Sequence, residues 1–187
     1  MTQALTVNEA VALVGIEERT VRKEVEYGLF GSESPPRFKL PALVYLRVLR
    51  ELGLQTTVEE RKRIYALISK AFAHSKKPVK VEVSPVLELK LDAATEEVQS
   101  MLDRFENWKQ RRVVIDPDIV GGEPVFAKSR LTVRHIGSML LRHGEKVMQE
   151  VRDDYPYLKS EDIEFAKLYT MAYPKVGRPR AGKAATR

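Results

Sequence analysis

The sequence predicts a mainly α-helical fold with small β elements, and two patterns carry that prediction. Over most of the chain, apolar residues recur three and four apart between cap-forming polar residues and glycines, which is the period of a half-buried helix. At two short places the pattern changes to alternation, or to brief apolar runs bounded by Pro and Gly, which marks short strands. With 187 residues and 43% apolar content, the chain can build one or two small domains with real cores.

The elements follow in order. Thr6-Val7-Asn8-Glu9 reads as a capping box opening a helix with Val7, Ala10, Val11 and Val14 on one stripe, stopped by Gly15. Glu17 and Glu18 favour the start of a second helix with Val21 and Val25 inward, ended by Gly28. Pro35-Pro36 is a loop, Leu40 to Leu52 a third helix, and Glu59 to Ala73 a fourth. Val79, Val81 and Val83, then Leu87, Leu89 and Leu91, alternate with charged residues around Ser84-Pro85, so a hairpin is predicted over Pro78–Leu91. A lone hairpin is barely stable in water, so it must pack on something. The spacing of Val98, Met101, Leu102, Phe105 and Trp108 predicts a helix over Asp92–Arg111. Short strands at Val113–Ile115 and Pro124–Phe126 come next, with Gly121-Gly122 between them to allow positive φ. Three helices close the chain: Thr132–Arg142, Glu145–Asp154, and one capped by Ser160 with Glu161 and Asp162 in its first turn.

Charge is unevenly placed. Residues 1–80 hold 14 Lys/Arg against 9 Asp/Glu, residues 81–112 hold 5 against 7, residues 113–173 hold 8 against 10, and residues 174–187 hold 5 against none. Basic ends suit a polyanion such as DNA. No run of 18 apolar residues is present, no charged-apolar-small leader opens the chain, and there is no cysteine. Membrane spans, secretion, disulfides and Cys-type zinc sites are therefore not expected, and a cytoplasmic protein is.

Two short helices joined by a tight Gly turn fit a helix-turn-helix, in which the second helix enters the major groove. Leu5–Phe30 resembles the winged-helix head of MerR-type regulators. On its second helix Arg19, Thr20, Arg22 and Lys23 can reach base edges or phosphates, and Arg37 and Lys39 follow the Pro-Pro loop, where a wing would touch the backbone. Arg61-Lys62-Arg63, beside Glu59 and Glu60, reads as a solvated face.

Further on, Ile115-Asp116-Pro117, Gly121-Gly122-Glu123-Pro124, Arg130-Leu131-Thr132-Val133, Tyr155-Pro156-Tyr157-Leu158 and Ser160-Glu161-Asp162 stand in the order of one family pattern. Residues from Val113 to about Tyr173 resemble domain of unknown function 433. The family usually has Gly-Thr before the Arg, where this chain has Lys128-Ser129. The resemblance implies a VapB-like antitoxin of a type II toxin–antitoxin system, partnered by a PIN-like ribonuclease toxin and fused to a DNA-binding head. The organisation then reads as a MerR-like head (1–76), a hairpin and linker helix with a possible dimerisation role (77–112), an antitoxin-like helical domain (113–173) and a basic tail (174–187).

Catalysis is not expected. Asp116, Asp118 and Glu123 read as turn residues, His135 and His143 lie too far apart for one ion, and Ser129 and Ser138 have no triad partners, so no metal or cofactor is assigned. Phe165, Leu168, Tyr169 and Tyr173 exceed what so small a core needs. Phe165, Tyr169 and Tyr173 are assigned to a toxin-facing surface, the alternative being a complete internal core. Arg178 and Arg180 in the tail would pair the toxin's acidic site, although Gly177-Arg178-Pro179 also resembles the core of an AT-hook. The expected function is an antitoxin that neutralises the ribonuclease and binds operator DNA as a homodimer. The alternative is a ligand-sensing MerR-like regulator with no toxin. The Val79–Leu91 hairpin and the Met101/Phe105/Trp108 stripe are the expected dimer contacts.

Overall fold

The computed structural model describes residues 4–52 and 56–175. Among them are eight α-helices and four short antiparallel strands. The fold is mainly α with small β elements, and among the described residues no helix is long and apolar enough to cross a membrane.

The head contains α1 (Val7–Val14), α2 (Glu18–Glu26), α3 (Leu40–Leu52) and α4 (Val58–His74). Both halves of the Thr6–Glu9 capping box are made, with Glu9 N donating to Thr6 Oγ1 at 3.3 Å and Thr6 N donating to the Glu9 carboxylate at 2.8 Å. Gly15 ends α1 in the left-handed region (φ 69°), and its missing Cβ leaves room for Arg50 to donate to the Val14 carbonyl at 2.8 Å. α4 starts one residue earlier than the spacing predicts, because Thr57 and Glu60 form a second capping box.

Strands β1 (Lys80–Ser84) and β2 (Leu87–Lys90) pair antiparallel, with Val81 opposite Leu89. They do not stand apart as a linker. Val81, Leu89 and Leu91 are buried in the same core as Val21, Phe38, Leu43, Leu46 and Ile68 of the head, while Val79 stays exposed.

The long helix α5 (Asp92–Arg112) serves two cores. Its first half gives Ala94 and Val98 to the head. Its second half gives Phe105 and Trp108 to a separate core with Phe126, Ile136, Ile163, Phe165 and Tyr169. Phe105 and Trp108 are therefore internal, and the expected dimer stripe is a helix–helix contact within the chain.

Beyond α5, β3 (Val113–Val114) pairs with β4 (Val125–Phe126). The turn between them has positive φ at Val120, Gly121 and Gly122. Helices α6 (Val133–His143), α7 (Met148–Asp154) and α8 (Ser160–Ala172) complete the fold. The helix expected over Glu145–Asp154 splits into a 3-10 turn, Gly144–Val147, and α7, which tucks Val147 into the core. Ser160 is the first helical residue of α8 rather than its cap. Lys159 holds the cap position, and its backbone N–H donates to Asp162 at 2.8 Å. α6 and α8 pack closely because position 137 is Gly: a Cβ there would collide with the Thr170 hydroxyl and the Ala166 carbonyl.

Candidate functional site

The basic residues of α2 lie on its outward face. Arg19, Arg22 and Lys23 are exposed and Thr20 is half-buried, while Val21 and Glu24 face inward and are fully buried. Arg22 is steadied by an exposed pair with Glu18 one turn away, at 2.5 Å. Arg37 and Lys39 are also exposed and flank buried Phe38, whose backbone exchanges two hydrogen bonds with Leu5 at 2.9 and 2.8 Å. That single bridge is the only β-pairing this loop makes among the described residues, so Arg37 and Lys39 stand on a loop rather than on a hairpin wing.

The inward face of α2 has an anchor that the sequence pattern conceals. Glu24 accepts from the Tyr45 hydroxyl at 2.8 Å and from Arg61 at 2.6 Å. A buried carboxylate is tolerable only when paired and hydrogen-bonded, and here it has both. Burial and the adjacent Glu24 carboxylate push the Tyr45 phenol well above its ordinary range. Arg61 also lies over the Tyr27 ring, 5.2 Å from its centroid. Arg61 is thus a structural cation, not part of a solvated run. Phe30, Phe38, Tyr45 and Tyr65 form an edge-to-face cluster under the same helix, with centroids 5.0 to 5.9 Å apart. The sequence signal was an acid at the inward spacing of α2, between Val21 and Val25.

The residues assigned to a toxin-facing surface are placed differently. Phe165 is fully buried and Tyr169 nearly so, and both pack on Trp108, with ring centroids 5.6 and 6.2 Å away. They complete the internal core, which removes them from any surface. Tyr173 is half-buried. Its hydroxyl donates to Glu9 of α1 at 2.8 Å and accepts from Lys109 of α5 at 3.1 Å, tying the end of α8 to the head. Burial and the bond to Glu9 push the Tyr173 phenol up to about 12. Burial works to raise Glu9, but the bonds from the Thr6 backbone and Tyr173 outweigh it and hold that carboxyl below its usual range. Arg178 and Arg180 lie outside the described residues.

A second buried carboxylate locks α8 to α5. Asp162 accepts from Trp108 Nε1 at 2.9 Å and takes Arg112 in a two-pronged pair at 2.7 and 2.5 Å. Burial opposes ionisation of Asp162, yet Arg112, the Lys159 backbone and Trp108 together hold its pKa below the ordinary value. Of the turn carboxylates, Asp116 accepts from the Asp118 backbone at 3.0 Å, and Glu123 pairs Lys175 at 2.6 Å.

Residues 113–170, about a third of the chain, match the family model described as "Protein of unknown function (DUF433)". No curated protein and no solved structure matches the chain. The match begins one residue after Arg112, so the core of the DUF433 region in this chain is completed from outside the match, by Phe105, Trp108 and Arg112.

Proposed function

We propose that this chain is a DNA-binding regulator of the antitoxin type. In this reading α2 is the recognition helix of a helix-turn-helix head that binds operator DNA in a homodimer and autoregulates its operon. The DUF433 region grips and neutralises a cognate PIN-like ribonuclease in the cytoplasm.

The observation that carries the DNA half is the two-sidedness of α2. Three exposed cations, Arg19, Arg22 and Lys23, point outward from a helix seated by buried Val21 and Glu24. A recognition helix needs a rigid seat on one side and solvent-exposed donors on the other. The toxin half rests on the family resemblance of residues 113–170. A ligand held between the head and the DUF433 region is less well supported, since the cavity there, beside Leu13, Arg47 and Met101, holds about 190 Å³. Small-molecule pockets usually hold roughly 300 to 1,000 Å³.

The test is a titration of the full chain onto a duplex from upstream of its own reading frame, at several salt concentrations. Replacing Arg22 and Lys23 with Ala should weaken binding and flatten the log–log salt slope by about 1 to 2, since each neutralised phosphate contributes roughly 0.9. Both side chains are exposed, so the melting curve should not move. Unchanged affinity in the double variant would sink the recognition-helix assignment.

A further inference from the structure

A groove of about 590 Å³ runs along α6 in the DUF433 region, between Val120 and Lys175. Its charged lining is unbalanced: Arg134, Arg142 and Lys175 face one carboxylate, Glu123. Glu123 is already taken by Lys175 at 2.6 Å and lies 3.5 Å from Arg134 Nε, close enough for attraction. That Nε is buried and makes no hydrogen bond among the described residues. Arg142 is exposed at the far end of the same lining. Met139 and Val120 give the groove an apolar part, and Val120 is 40% exposed.

We infer that this groove is the docking surface for an acidic segment of a protein partner. Resting on the antitoxin reading, it assigns the contact with the ribonuclease to Arg142 and Lys175, not to the buried aromatics of α8. Three features select the occupant. The groove carries surplus positive charge, three cations to one carboxylate among the described residues, so the complement is a carboxylate-bearing chain. Apolar Met139 and Val120 suit the apolar side chains that stand beside carboxylates in a protein segment and that a phosphate backbone lacks. The chain's own terminal segment cannot be the complement, because residues 176–187 add four Lys/Arg and no acid.

The test uses the full chain and the purified product of the adjacent reading frame, measured by calorimetry. Replacing Arg142 and Lys175 together with Glu should weaken binding by about tenfold or more, while Arg142→Lys with Lys175→Arg stays within about threefold of wild type. Wild-type affinity in the charge-reversed variant would overturn the groove and leave the antitoxin reading standing. No binding by the wild-type chain would overturn that reading, and the groove with it. If charge reversal instead lowers duplex DNA affinity, or dissolves a dimer seen by light scattering, and spares partner binding, the occupant is nucleic acid or a second copy and the inference is wrong.

Discussion

Among the described residues, each half of the chain buries one carboxylate, and each carboxylate is satisfied by one arginine and one aromatic side chain. In the head, Glu24 takes Arg61 and the Tyr45 hydroxyl. In the DUF433 region, Asp162 takes Arg112 and the Trp108 indole. Their surroundings differ. Glu24 sits in the last turn of α2 and joins it to α3 and α4, so it seats one helix within one core. Asp162 lies in the first turn of α8, where it also accepts from the Lys159 backbone, so one side chain starts a helix and clamps it to α5. Burying a charge costs several kcal/mol even after relaxation, and replacing a buried pair with apolar residues is often neutral. What the two sites share is direction: each fixes how a helix lies on its neighbours. The head uses this to present α2, and the DUF433 region uses it to close its own core onto α5.

Removing the clamp gives the largest expected effect. Asp162→Ala leaves the Arg112 guanidinium and the Trp108 N–H without an acceptor and strips the start of α8. Breaking a buried pair costs about 3 to 5 kcal/mol, and Arg112, 31% exposed, can partly rehydrate, so about 3 kcal/mol is expected. Trp108 is the sole tryptophan, which makes its fluorescence a native reporter of this core during urea unfolding. The effect should depend on pH. Unfolded carboxyls ionise near 4 and Asp162 is held lower in the fold, so its contribution is present above about pH 4 and lost as pH falls through the folded value. The gap between wild type and variant should therefore close below about pH 4. A constant gap would show that Asp162 acts through packing, not charge.

The positions of these elements were largely legible because they rest on local rules. The Thr6–Glu9 box, the span of α3, the hairpin and the positive φ at Gly121 and Gly122 follow from residues a few positions apart. The roles of Arg61, Arg112, Phe165 and Tyr169 were not legible, since each depends on partners 37 to 61 positions away in sequence. The excess of aromatics on α8 was a correct observation with the wrong consequence. It signalled a core larger than residues 113–173, because α5 enters that core with Phe105 and Trp108. Arg19, Arg22 and Lys23 were visible on one face of α2, but the carboxylate seating the opposite face looked like one more surface acid.

The head's carboxylate can be weakened more gently. Tyr45→Phe removes the hydroxyl donor from Glu24 and leaves Arg61 in place. A hydrogen bond to a charged group is worth about 1.5 to 3 kcal/mol, and the retained Arg61 pair limits the loss, so about 1 to 2 kcal/mol is expected. Thermal unfolding followed by circular dichroism should show the loss. The native emission of Trp108 should not change, since Tyr45 and Trp108 belong to different cores. A shift in that emission would mean that the two cores answer to each other through α5, and the contrast between a local seat and a clamp would fail.

The smallest expected effect runs in the opposite direction and concerns the DUF433 region alone. Lys128 holds a φ of 63°, at the position where the family pattern usually has Gly. A left-handed conformation costs a residue with a Cβ roughly 1 to 2 kcal/mol, which glycine avoids. Glycine gives part of that back, because its unfolded chain has more freedom to lose, by about 0.5 to 1 kcal/mol. The Lys128 side chain is exposed, so little packing offsets the difference. Lys128→Gly should therefore stabilise the region by about 0.5 kcal/mol. The gain should appear as a higher urea midpoint by Trp108 fluorescence with an unchanged slope. Combined with Asp162→Ala the effect should simply add, because the strain sits in the turn after β4 and the lost pair lies between α5 and α8. A destabilised Lys128→Gly chain would show that the lysine side chain, not its backbone, governs this turn.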